Sequence, residues 1–159
     1  MIHGRCRAWL QWLAGTVAVI GLSGAAQAAP GDNRDLTEAI AREIVACGEL
    51  DGIAWQEVSA VFAVDEDGDV NQSYGYAYAA DGTPHAVAFL YDPVEQAVRR
   101  YREWLRPRHD KGFIKMLFQF NRVTRKVNAE FEYDDAARWQ VTPANVDRVT
   151  AALRPKLGP

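Results

Sequence analysis

Between Gly112 and Asp134 the sequence alternates apolar and polar residues twice, on either side of a short loop. In the first arm, "GFIKMLFQFN", Ile114, Met116, Phe118 and Phe120 fall on one side of an extended chain, with Lys115 and Gln119 on the other. In the second arm, "KVNAEFEYD", Val127, Ala129, Phe131 and Tyr133 share a side, opposite Asn128, Glu130, Glu132 and Asp134. Successive side chains of a strand point to opposite faces, so this pattern predicts a hairpin around the four-residue loop Arg122 to Arg125, with one core face and one wet face.

The rest of the chain supplies partners for that hairpin. Asp35 and Glu38 fit a capping box, Leu36, Ile40 and Ile44 recur at helical spacing, and Gly48 can close a helix over Asp35 to Cys47. Three β-rich runs follow, Trp55 to Val64, Val70 to Ala80 and Thr83 to Tyr91, joined through "DEDGD" and through Asp81-Gly82. Turns of this composition between such runs predict a three-stranded meander. Asp92-Pro93 begins a second helix striped by Val94, Ala97, Val98, Tyr101 and Leu105, and Thr142-Pro143 begins a third striped by Val146, Val149 and Leu153. The order α-β-β-β-α-β-β-α predicts an α+β domain: a mainly antiparallel five-stranded sheet with helices on one face.

The first residues carry Arg5 and Arg7, an apolar run from about Trp9 to Leu22, and small residues ending in Ala26-Gln27-Ala28. This is the layout of a secretory signal peptide, residues 1–28, cleaved after Ala28. The apolar run is shorter than the ~20 residues that a membrane-spanning helix needs, so no span is expected after cleavage. Residues 29–159 then form a single domain in the periplasm, and loss of Arg5 and Arg7 takes the net charge from −3 to about −5. Cys6 leaves with the leader, so no internal disulfide is possible; Cys47 ends a helical stripe and reads as a small core residue.

Chemistry-bearing motifs are sparse. An EF-hand built on "DEDGD" with Gly68 at position 6 would place Ala63 at position 1 and Tyr74 at position 12, where ligands are needed, so a solvated turn is the better reading. His85 and His109 stand in no nucleophile or metal motif, and no G-x-S-x-G, H-E-x-x-H or C-x-x-C is present. No cofactor, metal or catalytic residue is therefore expected. Paired carboxylates could serve a hydrolase, but carboxylates are abundant here and their presence alone discriminates nothing.

Two surfaces remain as candidates. Arg99, Arg100, Arg102, Arg106 and Arg108 surround the second helix and could hold peptidoglycan or anionic lipid, or could simply solvate a helix face; an exported acidic chain makes nucleic acid an unsuitable partner. In "SYGYAYA", Tyr74, Tyr76 and Tyr78 lie opposite Ser73, Gly75, Ala77 and Ala79, whose small size suits close approach of a helix. A two-residue turn at Asp81-Gly82 would extend that small-residue patch through Ala86 and Ala88. The tyrosines then either face a partner or pack beneath a helix, because periodicity does not fix the hairpin register.

The run "FEYDD", with Phe131, Tyr133, Asp134 and Asp135, followed by Trp139 and a Thr-Pro helix start, resembles the YezG-like immunity proteins, antitoxin partners of secreted polymorphic toxins. The resemblance spans roughly Glu38 to Leu153 in element order. It implies a small α+β protein without catalysis that binds and blocks a cognate toxin. The leader departs from the family pattern, which implies a toxin acting on the cell wall or membrane. The expected partner-binding residues are Tyr74, Tyr76, Tyr78, Glu130, Glu132, Asp134, Asp135 and Trp139.

Overall fold

The computed structural model describes residues 32–108 and 111–158. The expected leader and its cleavage site lie outside those residues, as does His109. Five strands, β1 (Trp55–Val64), β2 (Val70–Ala79), β3 (Pro84–Val87), β4 (Lys115–Asn121) and β5 (Lys126–Glu132), form one antiparallel sheet in the order β3-β2-β1-β4-β5. Three helices, α1 (Asn33–Ala46), α2 (Asp92–Leu105) and α3 (Val146–Leu153), complete the α+β order read from the sequence.

The predicted 112–134 hairpin forms in the expected register, with Asn121 opposite Lys126 and Met116 opposite Phe131. From Met116 onward its apolar side joins Val58, Ala60 and Phe62 of the central strand in the main core, on which α1 and α2 lie through Ile40, Ile44, Val94 and Val98. Ile114, expected on that side, stays outside the core, and Phe113 is buried there instead, because the regular alternation begins only at Lys115. The small side of β2 faces the main core: Ala77 is fully buried, and the Ser73 hydroxyl accepts the N–H of Phe89, in the connection before α2, at 3.0 Å. Gly75 has a different reason to be small, since a Cβ there would lie 1.9 Å from the Ser59 carbonyl oxygen of the neighbouring strand.

The local starts shift from expectation. The α1 cap is Asp32, whose carboxylate accepts the N–H groups of Arg34 and Asp35, while Glu38 pairs with Arg34 at 2.7 Å. Tyr91 rather than Asp92 stands at the α2 N-cap position. Thr142-Pro143 makes a turn closed by Asn145 N–H to the Thr142 carbonyl, and α3 begins only after it.

Two corrections change the faces of the sheet. The β2–β3 turn has three residues, Ala80 to Gly82, because Ala79 N–H bonds the Thr83 carbonyl and Gly82 takes a left-handed φ of +89°. One residue of slip moves Ala86 opposite Tyr76, onto the tyrosine side. The expectation of helices on one face holds for α1 and α2 and fails for α3. Val61 and Leu117 interrupt the polar side of the sheet with an apolar seat, and Leu153, with Val149, packs into it from the other side. The face expected to be wet is therefore covered over much of its area.

Candidate functional site: the tyrosine face and its strap

Strand pairing arranges the second face in rows that run across β2, β1, β4 and β5: Gln72, Ala63, Lys115, Glu132; then Tyr74, Val61, Leu117, Glu130; then Tyr76, Ser59, Gln119, Asn128; then Tyr78, Glu57, Asn121, Lys126. Tyrosines and acids thus share one face, a relation set by the pairing of β1 with both β2 and β4. The tyrosines stand on β2, inside the edge strand β3, and the acids on the edge strand β5, and the segment 136–158 packs against the face between them.

The acidic run is the device that turns the chain back. One Glu132 oxygen accepts the N–H groups of Tyr133 (2.9 Å), Asp134 (2.8 Å) and Asp135 (2.9 Å), and the other meets Arg138 at 3.0 Å. The N–H groups of Asp135 and Asp134, then the Arg138 guanidinium, hold this carboxyl down to about 2. Arg138 also reaches Glu130 at 3.2 Å and lies over the Trp139 ring, 4.3 Å from its centre. Trp139 itself takes φ +60°, a left-handed conformation that costs a bulky residue ~1–2 kcal/mol. Asp135 accepts the Ala137 N–H at 2.8 Å, and Asp134 pairs with Lys111. Each of the four acids has an internal partner.

Beyond that turn, the strap is held chiefly by side-chain donors that bind its main-chain carbonyls. Lys115 Nζ donates to Arg138 (3.1 Å), Tyr74 to Trp139 (3.2 Å), Tyr78 to Thr150 (2.7 Å) and Gln119 to Leu153 (2.9 Å). Thr124 donates to Leu157 (2.8 Å) and Lys126 to Gly158 (2.9 Å). Arg154 closes the strap with an ion pair to the buried Glu57 at 3.0 Å, passing over Gly82, where a Cβ would meet it at 2.5 Å. Polar residues such as Ser59, Gln119 and Asn121 are buried yet satisfied; among the described residues no buried side-chain polar atom lacks a partner.

The expected partner-binding residues separate on this evidence of burial. Tyr78 is 1% exposed beneath α3, and burial pushes its hydroxyl up to about 12, so it belongs to the interior rather than to a contact surface. Tyr74 and Tyr76 are half-buried, Trp139 is half-buried above them, and Asp134 and Asp135 are exposed. Between Tyr74, Tyr76 and Ala86 on the sheet and Ala136, Gln140 and Val141 on the strap lies an open groove of about 420 Å³. Gln72 and Lys115 line its end. Lys115 is buried, which lowers its ammonium, with the Asp135 charge opposing that shift. Alternation alone gave Lys115 no distinction from any surface lysine, and Gln140 carries no signal at all in the sequence; only the returning strap makes them neighbours.

Elsewhere, Asp69, Asp92, Glu95 and Arg99 border a depression of about 100 Å³. Desolvation, then the charges of Asp92 and Asp69, raises Glu95. Asp69 pairs with Arg99, and no group of three or more His, Cys, Asp or Glu among the described residues could hold a metal ion. The "DEDGD" run is a tight turn, closed by Asp65 N–H to the Asp69 carbonyl with Gly68 at φ +91°. The arginines of α2 do not form a uniform basic face: Arg102 is buried, its Nε donating to the Phe113 carbonyl at 2.9 Å, while Arg100 and Arg106 are exposed. No helix among the described residues is long and apolar enough to cross a membrane.

No protein-family model matches the chain, and no curated protein matches it.

Proposed function

We propose that the chain is an exported, non-catalytic binding protein of the immunity type, which captures a cognate antibacterial toxin and blocks its active site. The groove between the Tyr74–Tyr76 pair and the strap carries this reading, because it presents stiff aromatic area with hydroxyl tips beside a half-buried tryptophan. Tyrosine and tryptophan side chains of this kind supply much of the energy of protein interfaces. Asp134 and Asp135, exposed on the adjoining turn, add negative potential that would speed encounter with a basic rim.

The test is co-expression with the effector encoded beside this gene, scored by survival and by pull-down of residues 29–159. Protection together with a stable complex, both weakened by Tyr76→Ala and by Trp139→Ala, is the expected result. Survival no better than an empty vector, with no complex, would remove the proposal.

A further inference from the structure

The second face of the sheet already binds polypeptide. Five of its side chains, Tyr74, Tyr78, Lys115, Gln119 and Lys126, donate to main-chain carbonyls of the strap, and Thr124 of the β4–β5 loop adds a sixth such bond. Recognition of backbone thus works here beside the side-chain contacts of Leu153 and Arg154.

The same chemistry continues past the strap's edge without an internal ligand. In the groove, the Tyr76 hydroxyl and the Gln72 amide have no hydrogen-bond partner among the described residues. Lys115, in the groove lining, has a neutral carbonyl as its hydrogen-bond acceptor and no ion pair among the described residues, although its ammonium carries three donors. Burial lowers this ammonium and the Asp135 charge offsets that only in part, so an anion hydrogen-bonded to it would add charge stabilisation that the carbonyl does not supply. A volume of about 420 Å³ suits two or three residues of peptide, not a domain.

We infer that the groove is a peptide-recognition site that accepts a short extended segment of the partner protein, its carbonyls read by Tyr76 and Gln72 and an Asp or Glu side chain placed at Lys115. The inference rests on the proposed function and specifies the part of the partner that enters. The partner segment would extend, on a neighbouring track, the mode by which residues 136–158 are held. Its charge requirement is opposite to that of the exposed turn, where Asp134 and Asp135 favour basic groups, so the partner surface would carry an acidic anchor within a basic surround.

The test selects an N-acetylated, C-amidated random hexapeptide library on immobilised residues 29–159, then titrates the enriched peptide by 1H–15N correlation spectra. An Asp or Glu fixed at one position, with shifts centred on Gln72, Tyr76, Ala86 and Lys115, is expected. Replacing that acid by its amide should weaken binding about tenfold, and Tyr76→Phe, which leaves the ring in place, about fivefold. Lys115→Met tests the charge directly. Gln72→Ala, at an exposed position, serves if loss of Lys115 unfolds the strap. No enrichment, enrichment without an acid, or shifts centred elsewhere would overturn the inference. A toxin that binds while peptides do not defeats this inference alone; peptides that bind while no toxin does defeat the proposed function alone.

Discussion

Glu132 shows how one carboxylate can organise a turn. A carboxyl near 2 in the fold and at the ordinary 4.5 when unfolded contributes stability that is complete above about pH 4.5 and is lost as pH falls towards 2. The thermal midpoint should therefore fall between pH 5 and pH 2, and Glu132→Gln, which keeps the shape and removes the charge, should fall less steeply over that interval. Amide exchange at residues 133–135 should quicken in the same variant. Tyr78 provides the alkaline counterpart. A hydroxyl raised from 10 to about 12 favours its neutral form in the fold, so its contribution is present below pH 10 and disappears as pH rises towards 12. In an absorbance titration Tyr78→Phe should remove a late-ionising phenol. At neutral pH it should cost about 1 kcal/mol through loss of the bond to Thr150. Gly75→Ala belongs to the same scale: with 1.9 Å between its Cβ and the Ser59 oxygen, β1 and β2 must separate, at a cost of about 3 kcal/mol or more, read as a fall in the denaturation midpoint.

At the scale of elements, α3 depends on one side chain more than any other. Its eight residues bury only Leu153 fully, in the seat of Val61 and Leu117. Leu153→Ala should cost about 2–4 kcal/mol, measured by urea denaturation. It should also raise the exchange rate of amides in 146–153 before those of β1. The hairpin of β4 and β5 was legible in the sequence because Met116, Phe118 and Phe120 recur at every second position on one face, an alternation that Leu117 alone interrupts between them. The turn at Ala80 to Gly82 was not. Asp81-Gly82 marks a reversal but not its length, and the third residue decides whether Ala86 faces α2 or Tyr76. The place of α3 had a faint signal in Val61 and Leu117, two large apolar residues on an otherwise polar side, which say that this side is covered without saying by what.

Over the whole molecule, the sheet separates two kinds of core. The side under α1 and α2 is apolar and built from periodic patterns; the other is largely polar and held by hydrogen bonds and by the ion pairs of Arg154 with Glu57 and of Arg138 with Glu130 and Glu132. Deleting residues 146–158 should leave the first core standing. The truncated chain should keep its strand content by circular dichroism but melt more than about 10 °C lower, since the bonds to Thr150, Leu153, Leu157 and Gly158, the Arg154–Glu57 pair and the Leu153 seat go together. Element order, fold class, the two faces of the β4–β5 hairpin and the presence of a tyrosine row follow from the amino-acid sequence, because alternation and helical spacing are local properties. Which of the three tyrosines is accessible, that the acidic run spends its charge on the 133–138 turn, and that Lys115 closes a groove with Tyr76 were decided by tertiary structure. Each depends on where residues 136–158 return to the sheet, and that path is set by contacts between residues as far apart as Glu57 and Arg154, a separation over which no local pattern carries information.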